Sequence, residues 1–167
     1  MAVEIERKFL LRSDEWRSMV VSSVRMRQGY IVQTGATVRV RICNGDTAVL
    51  TIKGGSADGI SRREYEYSIP VTDAEEMLAE LSVGTVVEKI RSTVPAGNGL
   101  IWEIDEYLGA NAPLFTAEIE LPSADAEFEK PAWLGEEISS NKAFSNRALS
   151  VIPYSLRFTG SPAAEDK

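Results

Sequence analysis

Pairs of like-charged residues recur two positions apart along much of the chain. Glu4 and Glu6 form one such pair, and Arg39 and Arg41 form another. Residues two apart in a β-strand lie on the same face of a sheet, so each pair would point two like charges to one side. Apolar residues such as Val40 occupy the alternate positions and would cover the other side. We therefore expect the chemistry of this protein on one charged face of a sheet.

A solvated outer face is the ordinary explanation for such alternation in a single strand. Seven segments of this chain share the pattern, however, and the charged positions are same-sign pairs. A solvated face would ordinarily contain many serine, threonine, glutamine and asparagine residues instead. If the sheet closes on itself, the apolar face can pack outward and the charged face can line a lumen.

The charges on this face indicate what the lumen would bind. Arginine binds phosphate oxygens through two parallel N–H groups, and lysine acts as a point charge, so several bases suit a chain of phosphates. The acids would repel phosphate and one another unless hard divalent cations lie between them. The pattern therefore predicts an oligophosphate with Mg²⁺ or Mn²⁺. The bases are Lys8, Arg39, Arg41, Lys53, Lys89 and Arg91; the acids are Glu4, Glu6, Glu64, Glu66, Glu103, Asp105, Glu118 and Glu120.

Composition excludes several other classes of site. The chain of 167 residues contains no histidine, which excludes Ser-His-Asp and Cys-His catalysis. Its single cysteine, Cys43, excludes disulfides and cysteine-rich zinc sites. A net charge of −7 argues against nucleic acid and anionic membranes as partners. With neither a signal-peptide pattern nor paired cysteines, a cytoplasmic location is expected.

The elements that position these charges are mostly strands. Alternation predicts strands over residues 3–11, 24–34, 37–43, 47–53, 60–69, 85–94, 100–108 and 114–121, with an interruption at Gly29. Short helices are predicted over residues 13–20, 125–129 and 141–151, and a further one after a capping box at Thr72 to Glu75. This order predicts a mainly β, α+β fold: an antiparallel barrel or a strongly curved sheet of about eight strands, with a few peripheral helices. Residues 1–159 would form this single domain, and residues 160–167 a disordered tail.

The segment Glu4-Ile5-Glu6-Arg7-Lys8 resembles the ExExK signature of the CYTH, or triphosphate tunnel metalloenzyme, superfamily. The remaining charged pairs follow in the family's order as far as Asn141-Lys142-Ala143, so the resemblance covers residues 2–152. The chain is most similar to the compact bacterial type, which mainly hydrolyses inorganic tripolyphosphate. The resemblance implies a closed eight-stranded antiparallel β-barrel that forms a tunnel and binds a triphosphate there with two divalent metals. Metal-activated water would hydrolyse the triphosphate to diphosphate and phosphate.

The resemblance also implies a role for each matching residue. The expected metal ligands are Glu4, Glu6, Asp105, Glu118 and Glu120. The expected substrate-binding residues are Lys8, Arg39, Arg41, Lys53, Lys89, Arg91 and Lys142, the last reaching over the tunnel mouth. Glu64, Lys89 and Arg91 are the expected catalytic residues. Glu66, Glu103 and Tyr30 share the pattern without an assigned role.

Two other functions fit the same residues. One is an enzyme that acts on an organic triphosphate: a thiamine triphosphatase, a nucleoside triphosphatase or a class IV adenylyl cyclase. It would bind the triphosphate with the same residues, but the chain shows no aromatic clamp, that is, no set of aromatic residues to stack on the organic group. A non-catalytic polyphosphate-binding module would keep the bases and could lose the acids, whereas every expected acid is present. A monomer and a homodimer are both compatible with the sequence.

Overall fold

A computed structural model describes residues 2–32, 35–55 and 61–155. Nine strands and two α-helices lie within this described part, with 3-10 helices at Glu15–Met19, Gly109–Asn111 and Lys142–Phe144. The strands are β1 (Ala2–Leu11), β2 (Ser22–Val32), β3 (Thr37–Cys43), β4 (Thr47–Lys53), β5 (Ser61–Ile69), β6 (Val83–Gly97), β7 (Leu100–Tyr107), β8 (Phe115–Glu120) and β9 (Leu134–Glu137). The helices are α1 (Val71–Glu80) and α2 (Asn146–Val151).

The sheet closes on itself through β1. Its strands are arranged in the order β5-β4-β3-β2-β6-β7-β8-β1, and β1 then pairs with β5 from Ala2 to Ile5. Farther along β1, at Phe9 and Leu11, the short strand β9 pairs with it. All of these pairings are antiparallel, which confirms the predicted eight-stranded barrel. Strand β9 was not predicted.

The main apolar core lies outside the barrel wall. Val40, Ile42, Ile104 and Ile119 are fully or almost fully buried although they face away from the lumen. Residues 121–138 cover one side, where the ring of Trp102 lies 5.7 Å from that of Phe9. The rings of Trp133 and Phe128 lie 5.6 and 5.7 Å from Trp102, and helix α1 covers the other side with Ala74 and Leu78.

Helix α2 closes one end of the barrel. Leu149 packs with the lumen-facing Val87 and Tyr107, and Leu10 and Phe144 complete this cluster. Ser145 caps the start of this helix, since its hydroxyl accepts a hydrogen bond from the backbone N–H of Ala148 at 3.0 Å. This cap divides the single helix predicted over residues 141–151 into a 3-10 helix and an α-helix.

Three local predictions were wrong. Residues 125–129 form no helix, because they lie between Pro122 and Pro131 and Phe128 is drawn into the aromatic cluster. The capping box does not form, because α1 already begins at Val71 after Pro70, whose side chain makes no cap. Strand β2 runs through Gly29 with a register shift rather than an interruption.

The described chain includes no helix that is both long and apolar enough to cross a membrane. The predicted tail over residues 160–167 lies outside the described residues.

Because the apolar core lies outside the barrel wall, neighbouring residues of β7 should contribute very differently to the free energy of unfolding. We expect Trp102→Ala to lower the free energy of unfolding by about 3–5 kcal/mol, because it leaves a cavity among buried rings. Ile101→Ala, at a position 44% exposed, should change it by less than about 0.5 kcal/mol. Urea unfolding followed by tryptophan fluorescence and circular dichroism measures both. Equal effects of the two substitutions would contradict the external core.

Candidate functional site

The charged side chains of the alternating pattern share the lumen face of the barrel. Cross-strand partners lie on the same face of a sheet. Lys53 is opposite Glu64, Arg91 is opposite Asp105, and Lys8 is opposite Glu118. The sequence prediction of a charged lumen is therefore consistent with the observed register.

Acids dominate one continuous arc of the wall, formed by β7, β8, β1 and β5. Two pairs of carboxylates stand directly opposite one another there: Glu6 with Glu120 across β1 and β8, and Glu103 with Glu118 across β7 and β8. Like charges at such positions destabilise a sheet unless something compensates for them.

Burial, together with neighbouring carboxylates, raises the pKa values of three carboxyl groups. Burial raises the pKa of Glu6 well above its ordinary value, and the charges of Glu118 and Glu4 add to the effect. Burial and Glu4 also raise the pKa values of Glu64 and Glu120. The ionised forms of these groups are thus under-compensated by the protein itself.

Bases dominate the opposite arc, and the buried carboxylate Asp105 holds two of them. Its Oδ1 accepts from Arg91 Nε at 2.7 Å, and its Oδ2 accepts from Arg91 Nη2 and Lys89 Nζ at 2.8 Å each. Burial opposes the charge of Asp105, but Arg91 and Lys89 outweigh it and hold the pKa of the carboxyl far below its usual range. Burial lowers the pKa of Lys89, although Asp105 opposes this shift. Asp105 therefore fixes both bases in place.

Two lysines hold acids in the middle of the lumen. Lys53 Nζ lies 2.7 Å from Glu4 Oε1 and 3.6 Å from Glu64 Oε2. Lys8 Nζ donates to the backbone carbonyl of Phe144 at 2.9 Å and lies 3.9 Å from Glu118 Oε2. Burial raises the pKa of Glu118, but Lys8 and Arg91 outweigh this and hold it at about 2.

Arg39 and Arg41 differ from the other lumen bases. Arg39 Nη2 donates to Thr51 Oγ1 at 3.1 Å, and Arg41 Nε donates to Gln28 Oε1 at 2.7 Å. Among the residues that the structure describes, neither guanidinium has a carboxylate within 4 Å. Burial and the nearby charge of Arg39 lower the pKa of Arg41 to about 10. These two residues form a positive region that an anion would stabilise.

The acidic arc fits a hard cation in the chemistry of its donors, which are all carboxylate oxygens. The crowded pairs Glu6 with Glu120 and Glu103 with Glu118 are the observation that supports the fit. In residues 2–32, 35–55 and 61–155, no three carboxylates converge at metal-ligand spacing. Several of them hold Lys8, Lys53 or Arg91 instead, so a cation would have to replace those ion pairs.

The remaining predicted residues lie at the margins of this arrangement. Glu66 contacts Thr51 at 3.4 Å, and Glu103 contacts Arg91 at 3.2 Å. Tyr30 is buried opposite Arg39. Lys142 is exposed on the 3-10 helix at the end closed by α2, so its predicted contact with substrate stays a prediction.

Two lumen residues escaped the sequence analysis. Gln28 is fully buried on β2, where the outward-facing Arg25 and Arg27 carry the visible charges. Sorting β2 by alternate positions would have found it. Asn146 accepts from Lys89 Nζ at 3.1 Å and from the Tyr107 hydroxyl at 3.2 Å. No local pattern predicts this, because it depends on how α2 docks.

The fold and the lumen define a β-barrel protein whose interior site carries both basic and acidic side chains. The family model described as CYTH domain matches residues 2–150, and the chain belongs to that family. An inorganic triphosphatase of Acetivibrio thermocellus is 45% identical over 155 residues, which cover 92% of this chain and 97% of that protein. An inorganic triphosphatase of Nitrosomonas europaea is 36% identical over 151 residues, covering 89% and 97%. The crystal structure of the inorganic triphosphatase NE1496 superimposes with a TM-score of 0.65 at 34% identity, covering 90% of this chain and 96% of that one.

The acidic arc predicts a metal-dependent change in stability. The pKa of Glu6 in the folded protein is raised above its ordinary value of 4.5. The free energy of unfolding therefore falls as the pH rises from 4.5 through the raised pKa, where Glu6 ionises. Glu6→Gln should therefore raise the melting temperature of metal-free protein at pH 7.5, by about 2–4 °C for each kcal/mol of repulsion relieved. Adding Mg²⁺ or Mn²⁺ should stabilise the wild type more than the variant.

Glu88→Gln is the matched control, because Glu88 lies on the outer face and pairs with Arg25 at 3.4 Å. It should keep the wild-type response to metal in differential scanning fluorimetry. The same metal response in Glu6→Gln as in the wild type would remove Glu6 from the metal site.

Proposed function

We propose that this protein is a metal-dependent inorganic triphosphatase that hydrolyses tripolyphosphate to diphosphate and phosphate inside the barrel. The observation that carries the proposal is the separation of charge within one lumen. Arg39 and Arg41 lack a described carboxylate partner, while the opposite wall crowds Glu6 against Glu120. An anion of several phosphates, bound together with divalent cations, would compensate both sides at once. The two relatives named inorganic triphosphatase support this substrate.

The substrate would bind by exchanging ion pairs. Phosphate oxygens would occupy Arg39 and Arg41 directly, and would draw Lys53 and Lys8 away from Glu4 and Glu118. The released carboxylates then become available to a cation. Lys89 and Arg91 stay fixed by Asp105, and their positive charges would stabilise the negative charge of the transferring phosphoryl group.

Hydrolysis requires an in-line attack of water on a terminal phosphorus. A divalent ion, Mg²⁺ or Mn²⁺, held by Glu4, Glu6, Glu118 and Glu120 would lower the pKa of a water molecule and neutralise charge on phosphate oxygens. Glu64 would accept the proton of the attacking water, a role that its pKa, raised by burial and by Glu4, favours. The bond from the terminal phosphorus to the bridging oxygen breaks, and its electron pair leaves with diphosphate. Arg91 stabilises the charge that develops.

The outward packing of the three tryptophan residues favours an inorganic substrate over an organic triphosphate. Trp16, Trp102 and Trp133 are buried in the external cluster, where none can stack on a base or a thiamine ring. The complete set of acids argues against a binding module without catalysis. A cytoplasmic location and the lack of nucleic-acid or membrane partners stay predictions from the sequence.

A substrate panel tests the proposal. Phosphate release from tripolyphosphate, ATP, thiamine triphosphate and diphosphate is measured with Mg²⁺, with Mn²⁺ and with EDTA. We expect metal-dependent cleavage of tripolyphosphate well above that of the other substrates. Faster cleavage of an organic triphosphate, or formation of cyclic AMP from ATP, would assign the site to that substrate instead. Binding of tripolyphosphate without phosphate release would support the binding module.

The unneutralised guanidinium of Arg39 should matter for both binding and the transition state. We expect Arg39→Ala to raise KM and to lower kcat, each by about tenfold or more, because one charge contacts the substrate throughout the reaction. Arg25→Ala removes an equal charge from the outer face and should leave both constants near wild type. Steady-state kinetics with tripolyphosphate measures the difference. An Arg39→Ala enzyme with unchanged constants would contradict the proposed anion site.

A further inference from the structure

Gln28 has a hydrogen-bond arrangement that the proposed reaction does not yet explain. Its side chain is fully buried in the lumen, directly opposite Arg41 on the neighbouring strand β3. The amide atom that faces Arg41 Nε at 2.7 Å must be the oxygen, because a guanidinium has donors and no acceptor. Both hydrogens of the amide nitrogen are therefore left for another acceptor.

Within the described residues, the Gln28 amide nitrogen has no such acceptor, and neither does Nε of Arg39. Leaving a buried donor unsatisfied costs about 1–3 kcal/mol. Two donors on the adjacent strands β2 and β3 thus lack an oxygen acceptor among the described residues. An anion rich in oxygen, such as a polyphosphate, has the complementary chemistry.

The backbone next to Gln28 passes close to the residues at and after the end of α1. A Cβ atom at the next residue, Gly29, would lie 2.6 Å from Ser82 Oγ and 2.9 Å from a methyl carbon of Leu78. No side chain fits at position 29 for this reason, and Gln28 pairs directly with Arg41 across β2 and β3.

The neutrality of Gln28 matters as much as its hydrogen bonds. Arg91, held by Asp105, already has its charge compensated, whereas the glutamine holds Arg41 without neutralising it. A carboxylate at position 28 could hold Arg41 equally well, but it would cancel the charge that an anion needs. Glutamine is thus the side chain that orients the base and keeps it available.

We propose that Gln28 is a substrate-binding residue whose amide oxygen orients Arg41 and whose amide nitrogen donates to a phosphate oxygen of the bound triphosphate. The inference rests on the proposed triphosphatase function and adds an uncharged, specificity-determining contact to the basic side of the lumen. It also implies that the enzyme requires an amide here rather than any side chain able to accept from Arg41.

The test compares Gln28→Glu and Gln28→Met with the wild type. Gln28→Glu can still accept from Arg41, but it cancels the charge of the guanidinium and loses the amide donor. We expect a KM for tripolyphosphate raised tenfold or more, with a melting temperature at or above that of the wild type. Gln28→Met keeps the shape but loses both contacts, and should also raise KM. Arg27→Gln is the control, because it makes the same change of net charge at an outer-face residue that pairs with Glu75.

A second measurement needs no turnover. Isothermal titration calorimetry in metal-free buffer, with tripolyphosphate as the probe, should give at least tenfold weaker binding for both Gln28 variants and near wild-type binding for Arg27→Gln. Wild-type turnover with unchanged KM and binding in Gln28→Met would overturn the role of Gln28 alone. Absence of both turnover and binding in the wild type would overturn the triphosphatase proposal itself. If Gln28→Glu does not fold, the result with Gln28→Met decides.

Discussion

A charged group inside a protein is costly unless an opposite charge or several hydrogen bonds compensate for it, and the lumen of this barrel is lined with such groups. Asp105 shows how the cost is met, since its two oxygens accept from Lys89 and Arg91 while none of its surface is exposed. The donors lie on β6 and the acceptor on β7, so compensation requires that these strands keep their register. The same ion pairs that balance the charge therefore also fix the geometry of the wall.

A polar lumen moves the apolar packing of the chain to the outside. The hydrophobic faces of the strands need cover from water, and the barrel itself cannot provide it. Helix α1 supplies the cover over Val40 and Ile42, and residues 121–138 supply it over Trp102. This explains why a small barrel carries a long irregular segment with Phe128 and Trp133 turned inward against the wall.

Among the described residues, compensation is complete along some of the lumen and incomplete elsewhere. Arg39 and Arg41 rely on the neutral partners Thr51 and Gln28, and Glu6 faces Glu120 across two strands. These two places lie on opposite arcs of the wall, so one composite ligand of phosphates and cations can satisfy both. If the lumen side chains neutralised one another completely, binding such a ligand would gain little electrostatic energy. The incomplete balance is thus the physical basis of the proposed activity.

Much of the fold and of the site followed from the sequence, because a strand turns alternate residues to opposite faces whatever surrounds it. That period placed Glu4 with Glu6, and Arg39 with Arg41, on one face of their strands. Together with about eight strands joined by short turns, it predicted an antiparallel barrel or a strongly curved sheet, and the family resemblance implied the closed form. Local patterns failed where packing decides: residues 125–129 are extended around the aromatic cluster, and Asn146 reaches Lys89 only because α2 docks at the end of the barrel. The sequence by itself determined which charges each strand brings to the lumen. Only the closure of β1 on β5 and the register between strands decided which acid meets which base, because those distances join residues far apart in the chain.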